Sequence, residues 1–281
     1  MGSASAETRV VLRAQRGLDL PPVQQYMRWL RSYASGDLGW SIGQQRPVAD
    51  VLRDAIPPTL LLMSLALLTS LACGIALGAW QGAHAGSRGD RAWSGFSLAL
   101  FSVPEFWLAL MLLLVFVSWL HWLPSGGMAS DDAAYYAWPT QVVDRLEHLV
   151  LPLLSLTLVG AAHIARFQRA AMRDVITLPF GRTARAKGLR ERAVQRHALR
   201  AALLPMIAVS GMLIPSLLAG AVFVETIFAW PGMGSTMISA LEGRDYDLLS
   251  AGIVVISAMT VLGSLGAEAA TALADPRTRR T

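Results

Sequence analysis

The residues in this chain that could carry covalent chemistry are few, and their spacing argues against it. Gly39-Trp40-Ser41-Ile42-Gly43 fits G-x-S-x-G, the pattern that lifts a serine onto a strained strand-to-helix turn. That turn needs a strand before it and a helix after it in an α/β sheet. The flanking sequence offers neither, so the match reads as chance. Ser102 or Ser155 with His163 is the best other nucleophile–base pairing, and nothing orients it. No G-x-x-x-x-G-K-[ST] is present to cradle phosphates, and no H-E-x-x-H or ligand cluster to hold a metal. Cys73 is the single cysteine, so an intrachain disulfide is excluded. It lies in an apolar run and reads as a small packing residue.

The remaining chemistry is recognition. Arg182–Pro205, RTARAKGLRERAVQRHALRAALLP, is strongly basic and runs straight into an apolar stretch. Charge alone reads as an ordinary cytoplasmic loop. Three details argue for more. Thr183-Ala184-Arg185-Ala186-Lys187-Gly188 sets small residues beside charges, which allows close contact with a partner surface. Gly188 permits a sharp change of direction between two short helices. Leu203-Leu204-Pro205 then opens the next apolar stretch, with Pro205 tolerated near a helix start. The pattern predicts a helix–turn–helix elbow that docks on a soluble partner and moves as a rigid lever.

Such an elbow needs a membrane domain behind it. The chain has 281 residues, of which 15% are charged and 54% hydrophobic, with a mean hydropathy of +0.45. A soluble domain has roughly one quarter charged residues, so this is the composition of a helical membrane protein. Apolar runs over roughly 59–80, 96–120, 149–165, 203–224 and 249–273 reach or approach the ~20 residues that a ~30 Å hydrocarbon core demands. Lipid offers no partner to free backbone groups, so each run must be a helix. The third is the shortest, with His163 and Arg166 at its polar end. Gly74, Gly78, Gly211 and Gly220 suit close helix packing.

Loop charges set the orientation. Residues 81–92, residues 166–200 and the tail with Arg277, Arg279 and Arg280 are basic. The alternate loops, around Asp131, Asp132, Asp144 and Glu147 and around Glu242, Asp245 and Asp247, are acidic. The basic loops therefore face the cytoplasm, and Trp119, Trp122, Trp138 and Trp230 form an interfacial belt at the opposite ends. Five spans with a cytoplasmic C-terminus leave residues 1–56 outside, although that segment carries Arg9, Arg13, Arg16, Arg28, Arg31, Arg46 and Arg53 and no visible signal peptide. Either a first helix precedes Met1 or the segment crosses as an unusual N-terminal tail; the missing helix is the preferred reading. The expected division is an extracytoplasmic segment, 1–56, and a transmembrane domain, 57–281, with a cytoplasmic loop at 166–202.

Two carboxylates fall in apolar runs. Pro104-Glu105 lies within the second, where the proline can bend the helix. A charge near the bilayer centre is expensive and faces protein or water. Glu105 therefore either lines a cavity and meets a cationic group of a solute, or sits in the cytoplasmic third of its span, satisfied by a neighbouring helix. Glu225 ends the fourth run, as part of an outer gate or as a plain helix-end residue. His163 reads as a helix-end packing residue.

Five stretches, taken in order, carry a family resemblance. They are Gly17-Leu18-Asp19-Leu20-Pro21 with Gln25-Tyr26; Gly36-Asp37-Leu38-Gly39-Trp40-Ser41 with Pro47-Val48; Arg182 to Gly188 followed by Arg196-His197-Ala198-Leu199-Arg200 and Leu203-Leu204-Pro205; Gly220-Ala221, Val224-Glu225-Thr226-Ile227-Phe228 and Trp230-Pro231-Gly232-Met233-Gly234; and Arg244-Asp245-Tyr246 with Asp275-Pro276-Arg277. Together they resemble the inner-membrane permease subunit of ATP-binding-cassette importers of the dipeptide/oligopeptide/nickel group. The resemblance covers the chain from Gly17 onward, with two departures: the family's first helix is absent, and Arg182 stands where the general coupling signature has glutamate.

The resemblance implies an all-α polytopic helix bundle of the type I importer permease kind, in the bacterial inner membrane, with five of the family's six spans visible. It implies that Arg182, Thr183, Ala184, Arg185, Ala186, Lys187 and Gly188 form a coupling helix in the groove of a cytoplasmic ATPase. Gly188 would permit the close approach there, and shape and burial would carry the docking, since exposed ion pairs contribute little. Pro104, Glu105, Glu225, Pro231, Gly232 and Gly234 become the translocation path or gate. Implied partners are a second permease subunit, two cytoplasmic ATP-binding subunits, an extracytoplasmic solute-binding protein and the bilayer; nucleic acid is not among them. This chain would bind no cofactor, with ATP and Mg on the ATPase subunits. The rivals are an intramembrane hydrolase and a membrane scaffold or sensor.

Overall fold

The computed structural model describes residues 19–274, apart from the side chains of Phe180 and Arg182. Gly17, Leu18, Arg9, Arg13, Arg16, Asp275-Pro276-Arg277, Arg279 and Arg280 lie outside the described residues. Helix α1 (Pro22–Ala34) comes first, started by a proline in its opening turn. Two short strands, β1 (Trp40–Ser41) and β2 (Arg46–Pro47), pair antiparallel with Trp40 opposite Pro47. Helix α2 (Val48–Ala83) follows without a gap. The division expected at 56/57 thus falls inside a helix. The reason is packing: Val48, Val51, Leu52 and Ala55 are buried against Met233, Met237 and Leu248, which extends the helix outward beyond its lipid-length run.

Among the described residues, four helices are long and apolar enough to cross a membrane: α2, α5 (Trp138–Thr177), α8 (Leu204–Ile227) and α10 (Tyr246–Ala274). The fifth crossing expected, 96–120, is not a single rod. It is α3 (Arg88–Ser102) and α4 (Glu105–Leu113), the latter continuing as a π-helical turn over Leu114–Trp119, with a 101° bend between the two halves. Val103, at φ −87° and ψ 130°, is held extended because the following proline excludes the α region. Pro104 is extended as well, at ψ 136°. Two extended residues in succession break a helix, where one internal proline would only have bent it.

The third span, expected to be the shortest, belongs to the longest helix, the 40-residue α5. Its polar end stays helical, and one of the arginines there is held by a buried partner from α3. Arg169 donates to both carboxylate oxygens of Asp90, at 2.6 and 2.8 Å, and Asp90 also accepts the Gly86 N–H at 2.8 Å. That bidentate pair ties the start of α3 to the basic end of α5. Residues 166–177 of the expected cytoplasmic loop are therefore helix.

The glycines expected to bring helices together do so, Gly211 of the apolar run 203–224 lying against Ala267 and Gly220 against Glu105, and Gly82 joins Gly74 and Gly78. Gly74, Gly78 and Gly82 line α2 where it meets α5, and a Cβ on any of them would strike Ile164, Gln168 or Met172. The main core, with Leu62, Leu156, Ile164, Leu213 and Leu217, forms where α2, α5 and α8 converge. Cys73 is exposed on α2, not packed, which corrects its expected role.

Candidate functional site

The basic elbow consists of α6 (Pro179–Ala186) and α7 (Glu191–Ala202). Helix α6 ends in a reciprocal pair of backbone bonds, Gly188 N–H to the Arg185 carbonyl at 2.9 Å and Leu189 N–H to the Ala184 carbonyl at 3.2 Å. This is the Schellman arrangement, with Gly188 in the left-handed position at φ +75°. Open space surrounds a Cβ built there, so backbone conformation, not crowding within this chain, requires the glycine.

Arg182 lies in the same helix, and Thr183 donates its hydroxyl to the Pro179 carbonyl at 3.1 Å. Arg185 bridges the turn to Glu191, Nε and a terminal nitrogen at 3.1 and 2.8 Å. The guanidinium holds the Glu191 carboxyl below its usual range. Ala186, Lys187 and Gly188 are exposed. Helix α7 is different: Val194, Ala198 and Ala202 are buried, the last two in a cluster with Met172. One limb of the elbow is thus free and the other is fused to the spans.

Glu105 opens α4 directly after the break, where a helix N-terminus favours negative charge. Its carboxylate sits over Gly220 of α8, and any Cβ at Gly220 would collide with it. Phe106 meets Phe223 beside it, with ring centroids 6.2 Å apart. Glu105 is half-buried, so one side of it stays open.

Glu225 lies five residues further along α8, about 7.5 Å, and is fully buried. It caps another helix. Its Oε2 accepts the N–H groups of Gly234 and Ser235 at 2.6 and 3.2 Å, in the first turn of α9 (Met233–Glu242). Its Oε1 accepts the Thr59 hydroxyl at 2.6 Å, and Thr59 in turn accepts the Met233 N–H at 2.7 Å. A Cβ at Gly232 or Gly234 would collide with this carboxylate or crowd against it. Trp230 is buried and donates Nε1 to the Pro58 carbonyl at 3.0 Å, so it does not join the exposed Trp119, Trp122 and Trp138 of the belt. The structure therefore gathers Glu225, Gly232 and Gly234, with Pro231 in the same turn, into one buried junction. It sets Glu105 along the neighbouring stretch of α8 and leaves the elbow at the opposite end.

Sequence reasoning missed Thr59 and the hairpin. Ser41 is buried and donates to Asp245 Oδ2 at 2.6 Å, which also accepts the Gly43 N–H at 3.0 Å. The G-x-S-x-G spacing, read as chance, is thus a docking turn: its serine lies in the short strand β1, which pairs only with β2, and no α/β sheet surrounds it among the described residues. The available signal for Glu225 was its position eight residues before the helix that follows Trp-Pro-Gly, which starts at Met233. The hydrolase pairing is not assembled. Ser102 and Ser155 donate to the Leu98 and Pro152 carbonyls at 2.9 and 2.8 Å. His163 lies mid-helix, its ring between Phe101 and Phe167.

Comparison with known proteins gives a consistent answer. Residues 74–280 match the family described as binding-protein-dependent transport system inner membrane component. The oligopeptide transport system permease protein AppB of Bacillus subtilis is 36% identical, over 93% of this chain and 82% of its own length. The dipeptide transport system permease protein DppB of Escherichia coli is 35% identical, over 98% and 86%. The fold is that of the MetNI methionine ABC transporter in an inward-facing conformation, with a TM-score of 0.64 at 15% identity over 80% of this chain and 96% of that one. An amino acid ABC transporter gives 0.57 at 14% identity, over 82% and 94%.

Proposed function

The chain belongs to the family of binding-protein-dependent transport system inner membrane components, and on that premise we propose that its cargo is a peptide or a related small solute delivered by a binding protein. It is a permease subunit of an ATP-driven importer of the bacterial inner membrane, and hydrolysis belongs to separate subunits. The working assembly in this reading adds a second permease subunit, two cytoplasmic ATP-binding subunits that hold ATP and Mg, and an extracytoplasmic solute-binding protein. The chain divides at the hairpin before Val48 into an outer segment and the permease domain.

One observation carries the mechanism: the elbow has a free limb and a fused limb. The stretch from Arg182 to Gly188, exposed at Thr183 and from Arg185 to Gly188, supplies the surface that a soluble ATPase can grip. The buried limb α7 passes its displacement to α5. Closure of the ATPase pair on ATP then rocks the spans and opens the cavity outward; hydrolysis resets it. Glu105 lines the path beside Gly220, and its carboxylate suits a protonated amine such as a peptide's amino terminus. The Glu225 junction, with Pro231, Gly232 and Gly234, holds the outer gate.

The test is purification of the tagged chain from its own membranes, followed by reconstitution. ATPase subunits should co-purify, and solute-loaded binding protein should stimulate hydrolysis. Glu105→Gln should lower uptake of peptides with a free amino terminus and spare N-acetylated ones. A permease that purifies without ATPases, or a serine that takes an activity-based hydrolase probe, would refute the reading.

A further inference from the structure

Helix α1 has no part in the transport cycle described above. None of its residues is buried. Val23, Tyr26, Met27 and Leu30, at i, i+3, i+4 and i+7, form one stripe and are 70%, 56%, 49% and 45% exposed. Arg28 and Arg31 flank that stripe and border a shallow groove with Val23 and Met27. The C-terminal end of the helix meets the rest of the protein. Trp29 packs on Tyr33 within the helix, ring centroids 4.3 Å apart; Tyr33 in turn packs on the cluster of Val48, Met233 and Leu248, and its hydroxyl lies 2.9 Å from Ser250 Oγ.

That last contact fixes depth. Ser250 is four residues into α10, so Tyr33 sits about 6 Å below the outer end of a membrane-crossing helix. At 29 residues α10 is about as long as a bilayer with its headgroups is thick, so a point one turn inside its outer end falls in the headgroup layer. An apolar stripe at that level meets acyl chains. Two guanidiniums beside it meet phosphate esters, which they can engage in a bidentate fork. Arginines in an outer segment also run against the positive-inside bias, so lipid phosphate gives them a reason to be there.

We propose that α1 lies flat in the outer headgroup layer, with its Val23–Leu30 stripe in the acyl boundary and Arg28 and Arg31 on lipid phosphates. The helix then clamps the N-terminal hairpin, and through it the start of α2, to the membrane surface. The inference uses the orientation of the chain and is independent of which solute it carries.

The test uses the complete permease complex in vesicles of phosphatidylethanolamine and phosphatidylglycerol. In a Cys73→Ser background, Met27→Cys or Gln24→Cys carries an environment-sensitive fluorophore. The Met27 probe should be quenched by lipids spin-labelled about 5–10 Å below the headgroups, and the Gln24 probe by aqueous iodide. Arg28→Gln with Arg31→Gln should weaken the lipid quenching at Met27 while the complex still elutes intact. Equal iodide access at both positions overturns the proposal. So does lipid quenching that the arginine variants leave unchanged. Shielding of Met27 that requires added solute-binding protein also overturns it, and would point to a protein partner instead.

Discussion

The two ends of the permease are built on opposite principles. At the outer end, a buried carboxylate, a threonine and a tryptophan from distant parts of the chain lock α2, α8 and α9 together. At the cytoplasmic end, α6 is exposed at Thr183, Arg185 and Ala186, and its described residues are held by bonds to near neighbours and by an exposed ion pair, Arg185–Glu191. The first arrangement resists movement because breaking it strands buried donors. The second can shift against a partner with little internal cost. A lever needs this asymmetry: a junction that holds its shape and a handle that others can push.

The comparison breaks most readily at Glu225. Glu225→Ala would orphan the buried N–H groups of Gly234 and Ser235 and the Thr59 hydroxyl, at a cost of about 3 kcal/mol or more. The expected result is a clear fall in the temperature at which the detergent-solubilised protein loses its fold. Glu225→Gln keeps an acceptor for one donor and should fall less. Equal, unchanged melting of both variants would remove the junction's claim to be structural.

The elbow should fail in a different way. Gly188→Val forces a β-branched residue to φ +75°, at about 1–2 kcal/mol. That strain stays in the turn, since α7 remains packed through Val194, Ala198 and Ala202. The protein should reach the membrane with near wild-type melting, while ATP hydrolysis no longer drives uptake. Gly188→Asn, which tolerates the left-handed region better, should keep more of the coupling. Wild-type transport by Gly188→Val would count heavily against the lever.

The same contrast explains what could be read in advance. The elbow was legible because its determinants are consecutive: a basic helical stretch, a glycine at the left-handed position and a proline in the first turn of the next helix. Four of the five expected crossings were legible from hydropathy as single helices, but their ends were not, and the fifth run is the sharply bent pair of α3 and α4. Hydropathy sees lipid-facing length, whereas α5 runs on as helix through its basic end, where Arg169 holds the buried Asp90. Pro104 announced a bend, but the size of the break depends on Val103 being driven extended as well. The outer junction was legible only in its local half, Glu225 with Pro231, Gly232 and Gly234; its other members are far away in the chain. Thr59 and Glu225 are separated by 166 residues, and Ser41 and Asp245 by 204. No local pattern names such partners, and Trp230 looked like its interfacial neighbours until its indole found Pro58.

The smallest expected effect sharpens the comparison inside the outer end itself. Burial pushes the Asp245 carboxyl up, but hydrogen bonds from the Ser41 hydroxyl and from the N–H groups of Gly43 and Leu248 outweigh it, and the net direction is down. A carboxyl that is more acidic folded than unfolded stabilises the fold fully above its unfolded value of about 3.9. That contribution fades as the pH drops toward the folded value, because the unfolded chain takes up the proton first. Ser41→Ala removes one donor and leaves the rest, so it should cost about 1 kcal/mol at neutral pH. It should also raise the folded value, so the variant has less carboxylate-dependent stability to lose on acidification. The measurement is melting temperature against pH for both proteins: the gap between them should be constant at neutral pH and narrow below about pH 4. A gap that stays constant into acid would mean that Ser41 serves the hairpin through packing alone. Asp245 would then be a spectator at an end of the molecule where every other buried carboxylate oxygen described has a donor.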